Sequence, residues 1–223
     1  MKLTISTCAL AVLAIASPSF AQQVATDDGT ELASKDEERG FESLFDGKSL
    51  DGWRAAENPD SFQVEDGTIV VHGNRAHLFY AGDVADADFK NFEFRCEVQT
   101  WPNANSGIYL HTKYYEDGWP NRGYECQVNN SYKPDPQKTA SLYAVEPVTR
   151  SIVDDNEWFD YHIIVQGKQI TIKINGETIV DYTEPDDLDR PDRQLSSGTF
   201  ALQAHDPGSK VAYRNIRVKV LEE

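Results

Sequence analysis

The sequence is short of basic residues. Its 223 residues contain 21 Lys and Arg against 37 Asp and Glu, which gives a formal charge of −16 at pH 7. A surface of that sign repels phosphate groups, so we expect no nucleic-acid partner, and an anionic membrane surface is disfavoured for the same reason. Because the acidic residues are spread along the chain, the charge indicates a soluble, exported surface and says nothing about the fold.

Long apolar stretches are also missing, except at the N-terminus. Lys2 is followed by an apolar run and then by Ser19, Phe20 and Ala21, which place small residues at −3 and −1 of a cleavage site. The run is too short to span a bilayer comfortably. We therefore expect residues 1–21 to be a bacterial Sec signal peptide, cleaved after Ala21, and the protein to be periplasmic or secreted. No second hydrophobic span follows, so we expect no membrane insertion after cleavage.

The chain has only three cysteines, and Cys8 lies in the predicted signal peptide. Cys96 and Cys126 both lie on the apolar phase of predicted strands. Export would permit a disulfide between them. Two buried free thiols would instead pack as small apolar groups. The sequence leaves both states open.

Several catalytic signatures are absent as well. The chain lacks a GxSxG nucleophile elbow, a phosphate-binding P-loop and an HExxH metal motif. It also lacks the ExDxxE pattern of laminarinase-type glucanases. These absences disfavour serine hydrolases, nucleotide hydrolases and zinc peptidases. No cofactor is certain, and a divalent metal held by a His and carboxylates is left open.

After the N-terminus, the chain has no long segment with the 3.6-residue apolar period of a helix. Apolar and polar residues alternate instead, with a period of two. Residues 22–40 are polar, without aromatic residues, and are predicted to be a flexible linker. From Phe41 onwards, short alternating segments are separated by turns such as Asp66-Gly67 and Asn175-Gly176. Roughly a dozen such segments in residues 41–223 predict an antiparallel β-sandwich or jelly roll.

Polar residues follow one face of neighbouring predicted strands. Between residues 105 and 130, this phase contains two amides, a carboxylate, a histidine and a lysine: His111, Lys113, Glu125, Gln127 and Asn129. Gln203 and His205 share such a phase on a later strand. Plain solvation explains many polar sheet faces, and we favour it for Glu93, Arg95 and Glu97.

For residues 105–130, the residue types favour a binding site over plain solvation. Amides supply donors and acceptors together, and aromatic rings stack on the apolar faces of sugars. Trp119 lies in the loop between the two strands and is a candidate for such stacking. The turn Asp206-Pro207-Gly208-Ser209 could position His205.

Several segments in order resemble the DUF1080 family, also called the 3-keto-disaccharide hydrolase domain. The segments that carry this resemblance over residues 41–223 are FESLFDGKSLDGW, FQVEDGTIVV, NSGIYL, GYECQV, TASLY and GTFALQAHDPGSKVAYRNIRVKVLEE. The resemblance implies an all-β fold, a concanavalin A-like jelly-roll β-sandwich. It also implies action on 3-keto-glycosides by periplasmic or secreted proteins.

The resemblance further implies a set of site residues. The positions that match its motifs are Asn105, Ser106, Glu125, Gln127, Tyr143, Gln203 and His205. Arg214 and Asn215 also match, and we interpret them as structural because they lie on the closing strand. The chain departs from the pattern at Asn129, where many relatives carry Asp, and near His111, where many carry Arg. A charge needed at either position would be missing here.

A 3-keto sugar can lose its C1 substituent by elimination. The carbonyl acidifies the C2 proton, so the site needs a base near C2, donors at O3 and an acid near the leaving group. We assign the base to Glu125 or His111, stabilisation of the enolate oxygen to Lys113 or Gln127, and the acid to His205. Substrate contacts are assigned to Asn105, Trp119, Asn129, Tyr143 and Gln203.

Two other functions fit the same sequence. The predicted sandwich also serves as a non-catalytic, lectin-like carbohydrate-binding module, and it could be an interaction domain of the cell envelope. An oligosaccharide or glycoside is the expected partner of the enzyme and of the module.

Overall fold

A computed structural model describes residues 39–190 and 192–222. The predictions of a signal peptide (1–21) and of nearly all of the linker (22–40) lie outside the described residues. Within the described ranges the chain forms thirteen strands and two short 3-10 turns, Pro59–Ser61 and Val84–Ala87. The strands are β1 Glu42–Ser43, β2 Trp53–Ala56, β3 Phe62–Glu65, β4 Thr68–His72, β5 Ala76–Tyr80, β6 Phe92–Thr100, β7 Ser106–Thr112, β8 Tyr124–Val128, β9 Trp158–Gln166, β10 Gln169–Ile174, β11 Glu177–Thr183, β12 Thr199–Ala204 and β13 Lys210–Val220.

The strands form two antiparallel sheets. The larger sheet has the order β11-β10-β9-β6-β13-β4-β3, with β1 paired to β13, and the smaller has the order β2-β5-β12-β7-β8. The predicted turns at Asp66-Gly67 and Asn175-Gly176 join β3 to β4 and β10 to β11. The prediction of an all-β, two-sheet antiparallel sandwich is confirmed.

The core lies between the two sheets. Phe92, Phe94, Cys96 and Val98 alternate along β6 and are fully buried. Phe200 of the smaller sheet packs against Phe94, with ring centroids 4.7 Å apart. Burying these side chains removes apolar area from water at roughly 25 cal/mol per Å². The alternation of the sequence therefore follows from packing one face of each sheet against the other.

The opposite face of β6 carries the charged residues that we attributed to solvation. Glu93, Arg95 and Glu97 are half-buried there. Arg95 lies 3.3 Å from Asp160, and Glu97 lies 2.6 Å from Arg214, in ion pairs between strands of the larger sheet. These contacts support a structural interpretation of this face.

Cys96 and Cys126 are both buried in the core and are not joined by a disulfide. Burial raises the pKa of both thiols well above its ordinary value. They therefore pack as neutral apolar groups at physiological pH. Within the described residues, no helix is long and apolar enough to cross a membrane.

Candidate active site

The outer face of the smaller sheet holds a cavity of about 280 Å³, which we call the glutamate cavity. Its position follows from strand alternation, because side chains that oppose the core residues of β7, β8 and β12 all point away from the larger sheet. The residues that line it are Asn105, Tyr109, Trp119, Glu125, Gln127, Asp135, Tyr143, Arg193, Gln203 and His205.

Glu125 lies at the centre of a buried hydrogen-bond network. Tyr109, its cross-strand partner on β7, donates its hydroxyl to Glu125 Oε2 at 2.9 Å. Gln203 donates Nε2 to Glu125 Oε1 and to the Tyr109 hydroxyl oxygen, both at 3.0 Å. All three side chains are at least 94% buried. The carboxylate is therefore held in one orientation by donors from two neighbouring strands.

Gly107 leaves the space that the Glu125 carboxylate occupies. A Cβ atom at residue 107 would lie 2.9 Å from Glu125 Cγ and 3.0 Å from Glu125 Cδ. Contacts that short do not occur between real carbon atoms, so a side chain there would displace the carboxylate. Glycine is thus needed at residue 107 because the Glu125 side chain comes so close to it, and not because the backbone there has an unusual conformation.

Burial raises the pKa of Glu125 from 4.5 to about 7. The hydrogen bonds from Tyr109 and Gln203 and the positive charge of Arg193 act in the opposite direction, because they favour the ionised form. Burial outweighs them. A carboxyl group with a pKa near 7 can both take up and release a proton at neutral pH.

Three buried amide oxygens around this cavity have no hydrogen-bond partner among the described residues: Asn105 Oδ1, Gln127 Oε1 and Gln203 Oε1. Leaving a buried acceptor unpaired costs about 1–3 kcal/mol, so buried acceptors are normally paired. Gln127 is oriented by its Nε2, which donates to Asp135 Oδ2 at 3.1 Å. Three such acceptors in one cavity are suited to hydroxyl donors, whether these come from water or from a polyhydroxylated ligand.

His205 is oriented by its neighbour Asp206. Its Nδ1 donates to Asp206 Oδ2 at 2.7 Å, and Ser209 donates its hydroxyl to the same oxygen at 2.9 Å. Burial by itself raises the pKa of the Asp206 carboxyl, but the hydrogen bonds from His205, Ser209 and Gly208 lower it overall. This pairing leaves Nε2 as the His205 nitrogen available to exchange a proton with a ligand.

Trp119 forms an aromatic wall beside His205, at 5.4 Å between ring centroids. The indole is 44% exposed, which is unusual for so large an apolar side chain. Arg75 lies over the indole at 5.4 Å, and His77 meets it edge-on at 5.6 Å. Glu57 pairs with Arg75 and accepts the backbone N–H of Gly118. These contacts fix an exposed ring at the cavity rim, where a sugar could stack.

Seven of the ten residues predicted from the sequence line the glutamate cavity: Asn105, Trp119, Glu125, Gln127, Tyr143, Gln203 and His205. Glu125 and Gln127 share the outer face of β8, as strand alternation predicted. The outer positions nevertheless differ from the solvated face of an open sheet, because Glu125, Gln127 and Gln203 are buried beneath loops. Their roles in binding and catalysis stay predictions.

His111 does not reach this cavity. A bulge between β7 and β12 gives His111 a φ of 53°, and the register shifts there. The alternation of inward and outward side chains along β7 therefore breaks at this residue. His111 turns towards Phe92, with ring centroids 5.7 Å apart. Its Nε2 hydrogen-bonds Lys90 O at 3.0 Å, and its Nδ1 accepts the Ser196 N–H at 3.1 Å. Burial lowers the pKa of His111 to about 4.

Lys113 and Asn129 also lie outside the glutamate cavity. Lys113 follows the bulge and lines a different cavity on the same sheet face. Asn129 is fully buried. Its Nδ2 donates to Tyr132 O, Asp135 O and Gln137 O, so it holds the loop that follows β8. An Asn in this position supplies donors that an Asp could not, which gives the departure from the family pattern a structural reason.

Two charged residues of the cavity, Asp135 and Arg193, were not predicted from the sequence. Both lie in loops, where alternation gives no signal. Asp135 is brought in because the loop after β8 folds back on that strand, with Ser141 O accepting the Gln127 N–H. Within residues 39–190 and 192–222, no three His, Cys, Asp or Glu side chains are grouped to hold a metal ion.

A family model described as "3-keto-alpha-glucoside-1,2-lyase-like domain" matches residues 40–219. The chain belongs to this family. The predicted resemblance is thereby confirmed, and the family and its hydrolase-like members support a glycoside-acting enzyme.

Individual proteins are also similar to this chain. A 3-keto-disaccharide hydrolase from Bacteroides thetaiotaomicron is 26% identical over 231 residues, which cover 82% of this chain and 79% of that protein. The crystal structure of a proposed glycosyl hydrolase from Parabacteroides distasonis ATCC 8503 has a TM-score of 0.70 at 23% identity, over 84% of this chain and 97% of that one.

The carbohydrate-binding module CBM66 from Bacillus subtilis has a TM-score of 0.54 at 10% identity, over 75% of this chain and 95% of that one. At such identities, the two structural matches show only that the sandwich fold is shared. The jelly-roll fold class predicted from the sequence is consistent with both.

Proposed function

We propose that this protein is an exported enzyme that cleaves the glycosidic bond of 3-keto-glycosides by base-assisted elimination followed by hydration. The observation that carries the proposal is the glutamate cavity, in which Glu125, with a pKa raised to about 7, lies among three unpaired amide acceptors. The acceptors suit a sugar's hydroxyl groups, and the carboxyl group suits proton transfer at neutral pH. Family membership supports the 3-keto substrate class.

In the proposed first step, the Glu125 carboxylate takes the proton from C2 of the sugar. The C2–H electron pair forms the C2–C3 double bond, and the C3 carbonyl oxygen becomes an enolate. We assign the stabilisation of this oxygen to Arg193 and to the second N–H of Gln127 Nε2, which both line the cavity. A positioned cation and an amide N–H stabilise developing negative charge without reorganising.

In the second step, the enolate re-forms the carbonyl and the C1–O bond breaks. His205 gives a proton from Nε2 to the departing oxygen, while Asp206 stabilises the imidazolium form that supplies it. The product is a C1–C2 unsaturated ketone. Water then adds at C1 and gives a proton to His205 Nε2, while the proton held by Glu125 returns to C2, so that the atoms balance and both residues regain their starting protonation states.

A carbohydrate-binding module is the second candidate, favoured by the fold shared with CBM66. Both candidates use the unpaired acceptors and the exposed Trp119. Only the enzyme requires a carboxyl group with a pKa near neutrality, since a binding module gains nothing from holding Glu125 half-protonated. The raised pKa therefore favours the enzyme.

An assay on a synthetic aryl 3-keto-glucoside tests the proposal, with the unoxidised glucoside as a matched substrate. We expect aryl alcohol release from the 3-keto compound and none from the glucoside, whose C2 proton is not acidified. Calorimetric titration with the same sugars runs in parallel. Binding without turnover of either compound would favour the module, and the absence of both would contradict the two proposals together.

The pH dependence of activity is expected to follow the ionisation of Glu125. Because the base must be ionised, kcat/KM should fall about tenfold for each pH unit below a pKa of about 7. The measurement is kcat/KM against pH from 5 to 8, with stability checked at each value. A profile that is flat between pH 5 and pH 7 would argue against Glu125 as the base.

Asp206→Asn should lower kcat while leaving KM nearly unchanged. The amide can no longer stabilise a charged His205 imidazole, so we expect kcat to fall by about tenfold or more, within the usual 10²–10⁴ contribution of a general acid. Asp60→Asn, at an exposed position, is the matched control. Equal effects of the two substitutions would refute the positioning role.

The proposal of export has its own test. Expression in a bacterial host, followed by fractionation and N-terminal sequencing, should recover a periplasmic or secreted chain that begins at Gln22. Recovery of a full-length chain that retains Met1 in the cytoplasm would contradict export without affecting the chemistry.

A further inference from the structure

A second and larger cavity lies on the same outer face of the smaller sheet. It has a volume of about 670 Å³, within the range of small-molecule binding sites, and we call it the charged cavity. Six charged side chains line it: Arg54, Asp83, Asp86, Asp88, Lys113 and Arg122. None of them belongs to the glutamate cavity, and the function proposed above uses none of them.

The charges of this cavity are balanced and mutually unpaired. Three are positive and three are negative, and no ion pair within 4 Å joins any two of them in the described part of the chain. A phosphate or other anion would meet three carboxylates, and a metal ion would meet three cations. The lining instead offers strong acceptors beside strong donors, which matches a neutral ligand with many hydroxyl groups.

The apolar part of the lining is aromatic. Phe79 and Tyr114 meet edge-to-face at 5.4 Å, and the Arg54 guanidinium lies 3.5 Å from the Tyr114 ring centre. Tyr114 is half-buried and so keeps part of its surface at the cavity. Rings next to charged hydrogen-bonding groups are the combination that recognises a pyranose, which has apolar C–H faces and a polar edge.

The wall of this cavity includes backbone in an uncommon conformation. Ala85, Asp86 and Ala87 have φ values of 49°, 52° and 54°, three consecutive non-glycine residues in the left-handed region. Each such residue costs of order 1 kcal/mol or more, and observed strain of this kind is concentrated at ligand sites. The turn places Asp86 and Asp88 at the cavity.

The two cavities share supporting elements. Gln203 lines the glutamate cavity and Thr199 lines the charged cavity, four residues apart on β12, or about 13 Å along a strand. The loop between β7 and β8 supplies Trp119 to the first and Tyr114 to the second. A ligand that reaches from one cavity to the other must therefore be longer than a single sugar ring.

We infer that the charged cavity is a second saccharide-binding subsite, which takes a neutral sugar unit of the substrate at a distance from the bond that is cleaved. The link between this subsite and catalysis rests on the proposed function. Sugar binding in the charged cavity does not depend on it. With this subsite, the preferred substrate is a 3-keto-glycoside that carries further sugar units, and not a simple alkyl or aryl 3-keto-glucoside.

The first test measures binding without chemistry. Maltotetraose and cellotetraose are titrated calorimetrically against the variant Glu125→Gln/Gln203→Ala, in which the glutamate cavity is impaired. We expect one of the two sugars still to bind, and Arg54→Ala added to that variant to weaken binding about tenfold, the loss of one charged hydrogen bond. No binding of either sugar, or an unchanged Kd after Arg54→Ala, would overturn the inference.

The second test measures the link to catalysis. In an otherwise wild-type chain, Arg54→Ala should raise KM about tenfold for a 3-keto-glucosyl maltooligosaccharide and leave kcat for that substrate unchanged. Both kcat and KM for the aryl 3-keto-glucoside should stay as in the wild type. Asp88→Asn is a second, smaller change in the same cavity and should act in the same direction. Equal losses on the long and the short substrate would refute a remote subsite. Oligosaccharide binding in the first test without any 3-keto turnover would contradict the proposed function and leave the subsite standing.

Discussion

Glu125→Gln should lower kcat/KM on an aryl 3-keto-glucoside by at least about 100-fold, the lower end of what a general base contributes. Glutamine keeps the size of the side chain, and its single oxygen can accept one of the two hydrogen bonds that Tyr109 and Gln203 donate to separate oxygens of the carboxylate. It cannot take the C2 proton. Because the shape of the cavity is retained, sugar binding should change much less than turnover.

The same substitution should change how the stability of the fold depends on pH. The pKa of Glu125 is raised from 4.5 to about 7 in the folded protein, so the folded state binds the extra proton between these values. The stability of the wild type relative to the Gln variant should therefore decrease as pH rises from 4.5 to 7, by about 3 kcal/mol. Urea unfolding of both proteins across this pH range measures it.

Glu177→Gln is the matched control, because Glu177 is an exposed carboxylate on β11 of the other sheet. It should leave both turnover and the pH dependence of stability as in the wild type. If Glu125→Gln retained wild-type kcat, the assignment of the base would fail, whatever the stability data showed. If activity were lost but the difference in stability did not vary with pH, Glu125 would be ionised throughout, and burial would not control its pKa.

Gly107→Ala should damage the site through geometry alone. The added Cβ would come within 2.9 Å of Glu125 Cγ, so the Glu125 side chain would have to move away from its Tyr109 and Gln203 hydrogen-bond partners. Overpacking of this kind costs about 1–3 kcal/mol of folding free energy. Displacing a catalytic group by about 1 Å can cost a further 100-fold in kcat/KM.

A double-mutant cycle separates this effect from a general cost of Ala at residue 107. In a Glu125→Ala background the clash is absent, so Gly107→Ala should cost far less stability there than in the wild type. The measurement is the free energy of urea unfolding of all four proteins. Equal costs in the two backgrounds would mean that the close approach to Glu125 is not the reason for the glycine.

Much of this site could be predicted because strand alternation is a local rule. Glu125 and Gln127 point to one side of β8 and Cys126 to the other, whatever else the fold does. The motif match then selected this face over that of β6, where Glu93 and Arg95 alternate just as regularly. Ion pairs with neighbouring strands explain that second face, and no alternation pattern distinguishes it from a binding site.

His111 shows where the local rule fails. One extra residue at a bulge reverses the parity of the strand positions that follow it, and it turned His111 inwards. Lys113 lies beyond the end of β7, where alternation no longer applies, and lines the charged cavity. Nothing in the sequence marks the bulge, since His111 adopts its positive φ without being a glycine. Asp135 and Arg193 were missed for a related reason, because loops carry no period.

The sequence by itself determined the class of fold, the two-sheet pairing of apolar faces and the identity of Glu125 and its amide neighbours, because these depend on which side chains alternate along a strand. Only the tertiary structure decided that those polar groups are buried, that Gly107 makes room for the carboxylate, and that two cavities share one sheet face. Burial, close approach and convergence depend on residues distant in the chain. Their physical cause is the packing of loops over strands, which no local pattern encodes.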